Sequence, residues 1–94
     1  MIRHSLISVS NTTATSIDIT DSIKSSFTLV IQNINATGYI YIGNGSVSAT
    51  NYGFRIMPNH SFSIELNGND TIYAIASSNG MSLAVLKARL EAGM

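Results

Sequence analysis

Apolar residues recur at every second position along much of this chain. In Phe27-Thr-Leu-Val-Ile-Gln-Asn-Ile34, Phe27, Leu29 and Ile31 share one face, while Val30 and Ile34 fall on the other. Such alternation predicts half-buried strands rather than amphipathic helices. The same period predicts strands at Ser5–Val9, at 15–20 with Ile17 and Ile19 on one side, and at Tyr39–Ile42 with tyrosines opposite isoleucines. Further strands are expected at 52–56, 61–66 and 71–76. The last segment, Ser82-Leu-Ala-Val-Leu-Lys-Ala-Arg-Leu90, is rich in helix-favouring residues. It also alternates Leu83 and Val85 against Leu86 and Leu90 and directly follows a turn, so it is read as a strand with room for helical fraying after Lys87.

The punctuation between these runs is turn chemistry. Asn35-Ala-Thr-Gly38 predicts a hairpin joining 27–34 to 39–42, and Asn67-Gly-Asn-Asp70 predicts a second one joining 61–66 to 71–76. Residues 21–26 read as a connection with Ile23 turned inward, and Pro58 fixes another turn. Gly43-Asn-Gly45 raises the question of a phosphate-binding loop. That loop needs a helix after its glycines to supply free N–H groups. The following residues carry no helical period and no Lys-Ser/Thr pair, so the glycines are read as a turn of positive φ. Turns about every ten residues predict an all-β protein, a small antiparallel β-sandwich or barrel of seven to eight short strands. The chain reads as one domain over 1–94, in which 1–10 is either an N-terminal arm or an edge strand.

Composition changes the picture at one point. Only 11% of the 94 residues are charged and the formal net charge is zero, against about a quarter charged in ordinary soluble domains. Apolar residues are 45% and mean hydropathy is +0.23. Charge depletion of this kind suits a subunit whose surface is covered by neighbours. The cations at 3, 24, 55, 87 and 89 are scattered, which argues against direct nucleic-acid binding. There is no cysteine for disulfides or thiolate metal sites. No apolar run is long enough for a membrane helix, and the first ten residues lack a secretory pattern, so synthesis in a cytoplasm is expected.

Candidate chemistry is sparse. His4 and His60 stand alone, without a second histidine at ligand spacing. Asp18 and Asp21 lack the rest of a calcium loop, and Glu65 alternates with Ile64 and Leu66 toward solvent. No Gly-x-Ser-x-Gly elbow occurs. Asn-x-Ser/Thr triplets at 11, 35, 44, 59 and 69 read as turn-forming residues rather than glycosylation sites. The expectation is a protein that is not an enzyme and has no metal, cofactor or small-molecule substrate. Tyr39, Tyr41, Tyr52, Phe54 and Arg55 are of the aromatic and arginine types enriched at interfaces, and such aromatics are equally ordinary as the core of a sandwich. Ile2, Arg3 and Leu6 join them as candidate interface residues.

The order Ser26-Phe-Thr-Leu-Val-Ile-Gln-Asn33, Tyr39-Ile-Tyr-Ile-Gly43, Val47 followed by Gly53-Phe-x-Ile-x-Pro58, Phe62-Ser-Ile64 and Thr71-Ile-Tyr-Ala-Ile-Ala-Ser77 resembles small β-sandwich proteins of tailed-bacteriophage virions. It looks most like capsid decoration, or cement, proteins and related domains of head fibres and tail proteins. The resemblance covers about residues 26–77, and its motifs are structural. Where the family has a glycine after the proline, this chain has Asn59, which also tolerates the left-handed region. The resemblance implies a structural protein of the outer capsid surface, made in the host cytoplasm, that binds the major capsid protein as a homotrimer and stabilises the head. The alternative it leaves open is a tail-spike, tail-fibre or head-fibre domain binding a host receptor or glycan, with Tyr39, Tyr41, Tyr52 and Phe54 as stacking platforms. Residues 1–10 are expected to act as an arm that adds to a neighbouring subunit or to the capsid, with a truncation of 1–10 still folded. As part of its own sheet, the segment would bury Leu6 and Val9.

Overall fold

The computed structural model of the chain describes residues 2–17, 27–66 and 71–89, apart from the side chains of Arg3 and Arg89. Eight strands are formed: β1 (Ile2–Val9), β2 (Thr15–Ile17), β3 (Phe27–Asn33), β4 (Ile40–Gly43), β5 (Phe54–Ile56), β6 (Ser61–Leu66), β7 (Ile72–Ala76) and β8 (Met81–Arg89). They make two four-stranded sheets, in the orders β1-β8-β3-β6 and β2-β7-β4-β5. Every pairing is antiparallel. The all-β expectation is met by a sandwich rather than a closed barrel. Ile19, Ile23 and Asn67-Gly-Asn-Asp70 lie outside the described residues, as do Asp18, Asp21 and Leu90.

The pairing pattern explains the sheet orders. β1 pairs with β8, β2 with β7, β3 with β6 and β4 with β5. The chain is thus one long hairpin, running out through β1–β4 and back through β5–β8. It is rolled so that β3 also joins β8 and β4 also joins β7. This is the jelly-roll arrangement of a double-sheet sandwich.

Both expected hairpins are overturned by this roll. β3 and β4 belong to different sheets, and so do β6 and β7. An Asn- and Gly-rich turn reports a local reversal, but not whether the returning strand stays in the same sheet. At residues 34–39 the chain leaves its sheet because Asn33 and Asn35 fasten it. Asn33 is fully buried at the fourth inward position of β3, and its Nδ2 donates to the carbonyls of Gly38 (3.1 Å) and Ile56 (2.9 Å). Its Oδ1 accepts from the backbone N–H and Nδ2 of Asn35. Asn35 then exchanges bonds with the backbone of Ser82 on β8. Gly38 takes φ 91°, and a Cβ there would stand 2.9 Å from Met81 Sδ, so only glycine fits this crossing.

Gly43 and Gly45 are corrected too. Neither has positive φ, which among the described residues is confined to Gly38, Gly80 and Asn59. The bend at 44–47 is made instead by Asn44, whose Oδ1 accepts from Ser46 N (2.9 Å) and Ser46 Oγ (2.6 Å) while its carbonyl accepts from Val47 N. Asn59, at φ 64°, occupies the left-handed region, in a turn closed by His60 N donating to Met57 O.

The core lies between the sheets. Val9, Phe27, Leu29, Ile31, Met81, Leu83 and Val85 meet Ile17, Ile40, Ile42, Ile56, Ile72, Ala74 and Ala76. Each large aliphatic buried there contributes about 1.5–3 kcal/mol. β8 is a strand throughout Met81–Arg89 despite its helix-favouring residues. It is flanked by β1 and β3, so both edges of its backbone are paired, and tertiary pairing overrides propensity. β1 starts earlier than expected and runs beside β8 over its whole length as an edge strand of its own sheet. Val9 is buried and Ile7 packs on the core, but Leu6 is not a core residue.

Candidate interaction surface

The two outer faces of the sandwich differ in one respect, which is whether the molecule covers them itself. On the β2-β7-β4-β5 sheet, Tyr39, Tyr41, Tyr73 and Ile75 point outward. The connection between β4 and β5 folds back over them and plugs Val47 into their midst. Backbone bonds between Ser48 and Asn51, and from Gly53 N to Ile42 O, hold that connection down. Tyr52 lies on Tyr41 with ring centroids 4.8 Å apart. Tyr41 meets Tyr39 edge-on at 6.5 Å, and the Arg55 guanidinium sits 4.7 Å above the Tyr39 ring.

These aromatics are therefore spent largely on one another. Tyr41 is only 8% exposed, and Tyr39 has a cation on its face. Tyr52 and Phe54 remain 43% and 41% exposed. Phe54 belongs elsewhere. It stacks on Phe62 at 4.5 Å, where β5 of one sheet approaches β6 of the other. Of the expected cluster, the fold brings together Tyr39, Tyr41, Tyr52 and Arg55, and leaves Phe54 apart.

The outer face of the other sheet is built in three rows that its register fixes. Leu6, Ala84, Gln32 and Ser61 form one row; His4, Leu86, Val30 and Ser63 the next; Ile2, Ala88, Thr28 and Glu65 the third. Read across the rows, the β1 and β8 side is mostly aliphatic and the β6 side is polar. Ile2 is 70% exposed, Leu6 72% and Leu86 40%. A shallow cavity of about 280 Å³ lies between His4, Leu6, Val30, Gln32, Ala84 and Leu86. An outward sheet face normally alternates to polar residues. Here the only acid in the three rows is Glu65, at the far edge, and among the described residues nothing folds over the aliphatic half.

Ile2 and Leu6 thus fall on this face, far from the tyrosine group in the fold, while the side chain of Arg3 is outside the described atoms. Sequence reasoning missed Val30, Ala84 and Leu86 as surface partners of Leu6. Each is visible as an outward position of its strand, but their adjacency depends on β8 lying between β1 and β3, which no local pattern encodes.

Among the described residues no three His, Cys, Asp or Glu side chains gather as metal ligands. His4 is exposed on the aliphatic face. His60 is exposed in its turn, with Nδ1 3.0 Å from the Pro58 carbonyl oxygen. No helix of the described residues is long and apolar enough to cross a membrane. No protein-family model matches the chain, and no curated protein matches it.

Proposed function

We propose that this protein is a structural component of a tailed-phage virion: a decoration protein that sits on the outer capsid surface, binds the major capsid protein and further copies of itself, and stabilises the head. The observation that carries the reading is the aliphatic half-face of the β1-β8-β3-β6 sheet, which no described residue covers, on a chain of low charge content and no net charge. Large exposed apolar patches mark interaction sites, and a protein that works by adhesion needs no further chemistry. The motif order over 26–77 points to phage virions, and the jelly roll is an architecture that capsid proteins share with lectins and cupins. That likeness is one of fold and adds only modest weight.

A cryo-EM map of the virion tests the proposal, with density for the chain expected on the outer shell in contact with the major capsid protein. Density confined to the tail, or a particle that lacks the chain, would sink it. A binding assay with undecorated capsids locates the surface. Leu86→Glu places a charge in the centre of the aliphatic face, and binding should fall at least tenfold, equivalent to about 1.4 kcal/mol, while the melting temperature stays close to that of the parent.

A further inference from the structure

We propose that β1 pairs with β1 of a second copy, antiparallel about a twofold axis through His4, joining the two β1-β8-β3-β6 sheets into one continuous eight-stranded sheet.

The starting observation is how the four edge strands are protected. β2 and β5 are three residues long, and Arg55 stands on β5. β6 presents Ser61, Ser63 and Glu65 outward and is preceded by Pro58. Short length, charge and proline are the usual defences of a free edge. β1 is eight residues long, pairs with β8 in unbroken register, and contains no proline, lysine or acid; its single charge, Arg3, lies near one end. Its outer face is Ile2, His4, Leu6 and Ser8. A long edge with one charge, to which no described strand pairs, invites another strand that would satisfy its outward N–H and C=O groups.

The sequence of β1 selects the occupant and the register. A twofold axis normal to the sheet keeps the outer faces of both copies together, so residues of like parity oppose one another. With the axis at His4, Ile2 faces Leu6 of the second copy on both sides of the centre. Apolar cross-strand pairs of this kind are stabilising. The same register sets Arg3 against Ser5 of the second copy, so the two arginines are not opposed. An axis at Ser5 would instead face Ile2 with Ser8 and Leu6 with His4. An axis at Arg3 would oppose the arginines. Only the register about His4 combines both aliphatic pairs with separated cations, and it extends the aliphatic half-face across the junction. The pairing does not depend on the capsid assignment. It calls for a twofold contact in solution, where the family resemblance implies a trimer.

The chain has no cysteine, so a single introduced thiol reports position without background. Directly opposed residues of an antiparallel pair have Cα atoms about 4.5–5.5 Å apart, within disulfide reach. Full-length His4→Cys is expected to oxidise to a covalent dimer as its main product. Ser5→Cys, and Ser61→Cys on the opposite edge of the sheet, should give no covalent dimer. Sedimentation of the parent protein at up to about 0.5 mM should give a dimer mass, since a contact along one edge strand falls at the small end of interface sizes, below about 1,200 Å². Leu6→Lys, at a solvent-exposed position, should be monomeric with an unchanged melting temperature. A parent protein that is monomeric at that concentration, a trimer, or cross-linking at Ser5→Cys or Ser61→Cys in preference to His4→Cys overturns the proposal. Each of these results leaves the capsid location to be decided by the virion map.

Discussion

A single amide organises one end of this sandwich. Asn33 Nδ2 donates to carbonyls from two different segments, Gly38 and Ile56, and Oδ1 holds Asn35, which in turn holds Ser82. Each bond is a modest term, but leaving the partners unpaired in a dry site costs about 1–3 kcal/mol per group. Asn33→Leu is therefore expected to lose about 2–4 kcal/mol in urea unfolding. Asn33→Asp should be worse near neutral pH, because it replaces the donor with an anionic oxygen facing two carbonyls. Burial raises the folded pKa of that carboxyl above its unfolded value of about 3.9. The variant should thus be least impaired below about pH 4 and lose stability as pH rises through the folded pKa, and a pH series of urea melts reads that slope directly. The inward position of Asn33 was legible, since it continues the alternation of Phe27, Leu29 and Ile31. Its network was not, because Ile56, and Ser82 beyond Asn35, are residues that the roll, not the sequence, brings near.

The strands themselves could be read from period-two alternation, and so could the buried face of β3 and β8. Their neighbours could not. Asn35–Gly38 and Asn67–Asp70 carry hairpin chemistry, yet the strands flanking each belong to different sheets. Among the described strands, the one hairpin between successive strands is β4 with β5; its connection over 44–53 opens on Asn44-Gly45, yet it is ten residues long rather than a two-residue turn. β1, which carries Ile2 and Leu6 of the candidate surface, was legible as a strand but not as a fixed part of its own sheet. As an arm it would be dispensable for folding, but it covers one edge of β8 and contributes Val9 and Ile7 to the core. Removing residues 1–10 forfeits those two aliphatics, about 1.5–3 kcal/mol each, together with the β1–β8 ladder. Against a typical total of about 5–15 kcal/mol, circular dichroism of the truncated chain should show a melting temperature lowered by well over 10 °C, or no folded state at 37 °C. A truncation as stable as the parent would return the segment to the status of an arm. The β4–β5 connection makes the complementary case. Val47→Ser removes the plug from among Tyr41, Ile75 and Tyr73, and should cost about 1–3 kcal/mol while leaving capsid binding by the folded protein intact.

At the scale of the whole molecule, the sandwich has one face that it closes with its own connection and one that it leaves aliphatic. That asymmetry distinguishes the two sides of a small protein whose formal net charge is zero. The rolled pairing also dictates a history. Among the described strands only β4 and β5 are ladder partners adjacent in the chain; β3 must wait for β6, β2 for β7 and β1 for β8. Ordering therefore closes outward from the middle of the sequence, each ladder enclosing a longer loop than the last, which is the condition for slow folding. During synthesis the first strand made is the last to find its place, because Met81–Arg89 must leave the ribosome before Ile2–Val9 has a partner. Through that interval β1, the longest of the four edge strands, is exposed on both sides, and in a crowded polysome its nearest neighbours are other nascent copies.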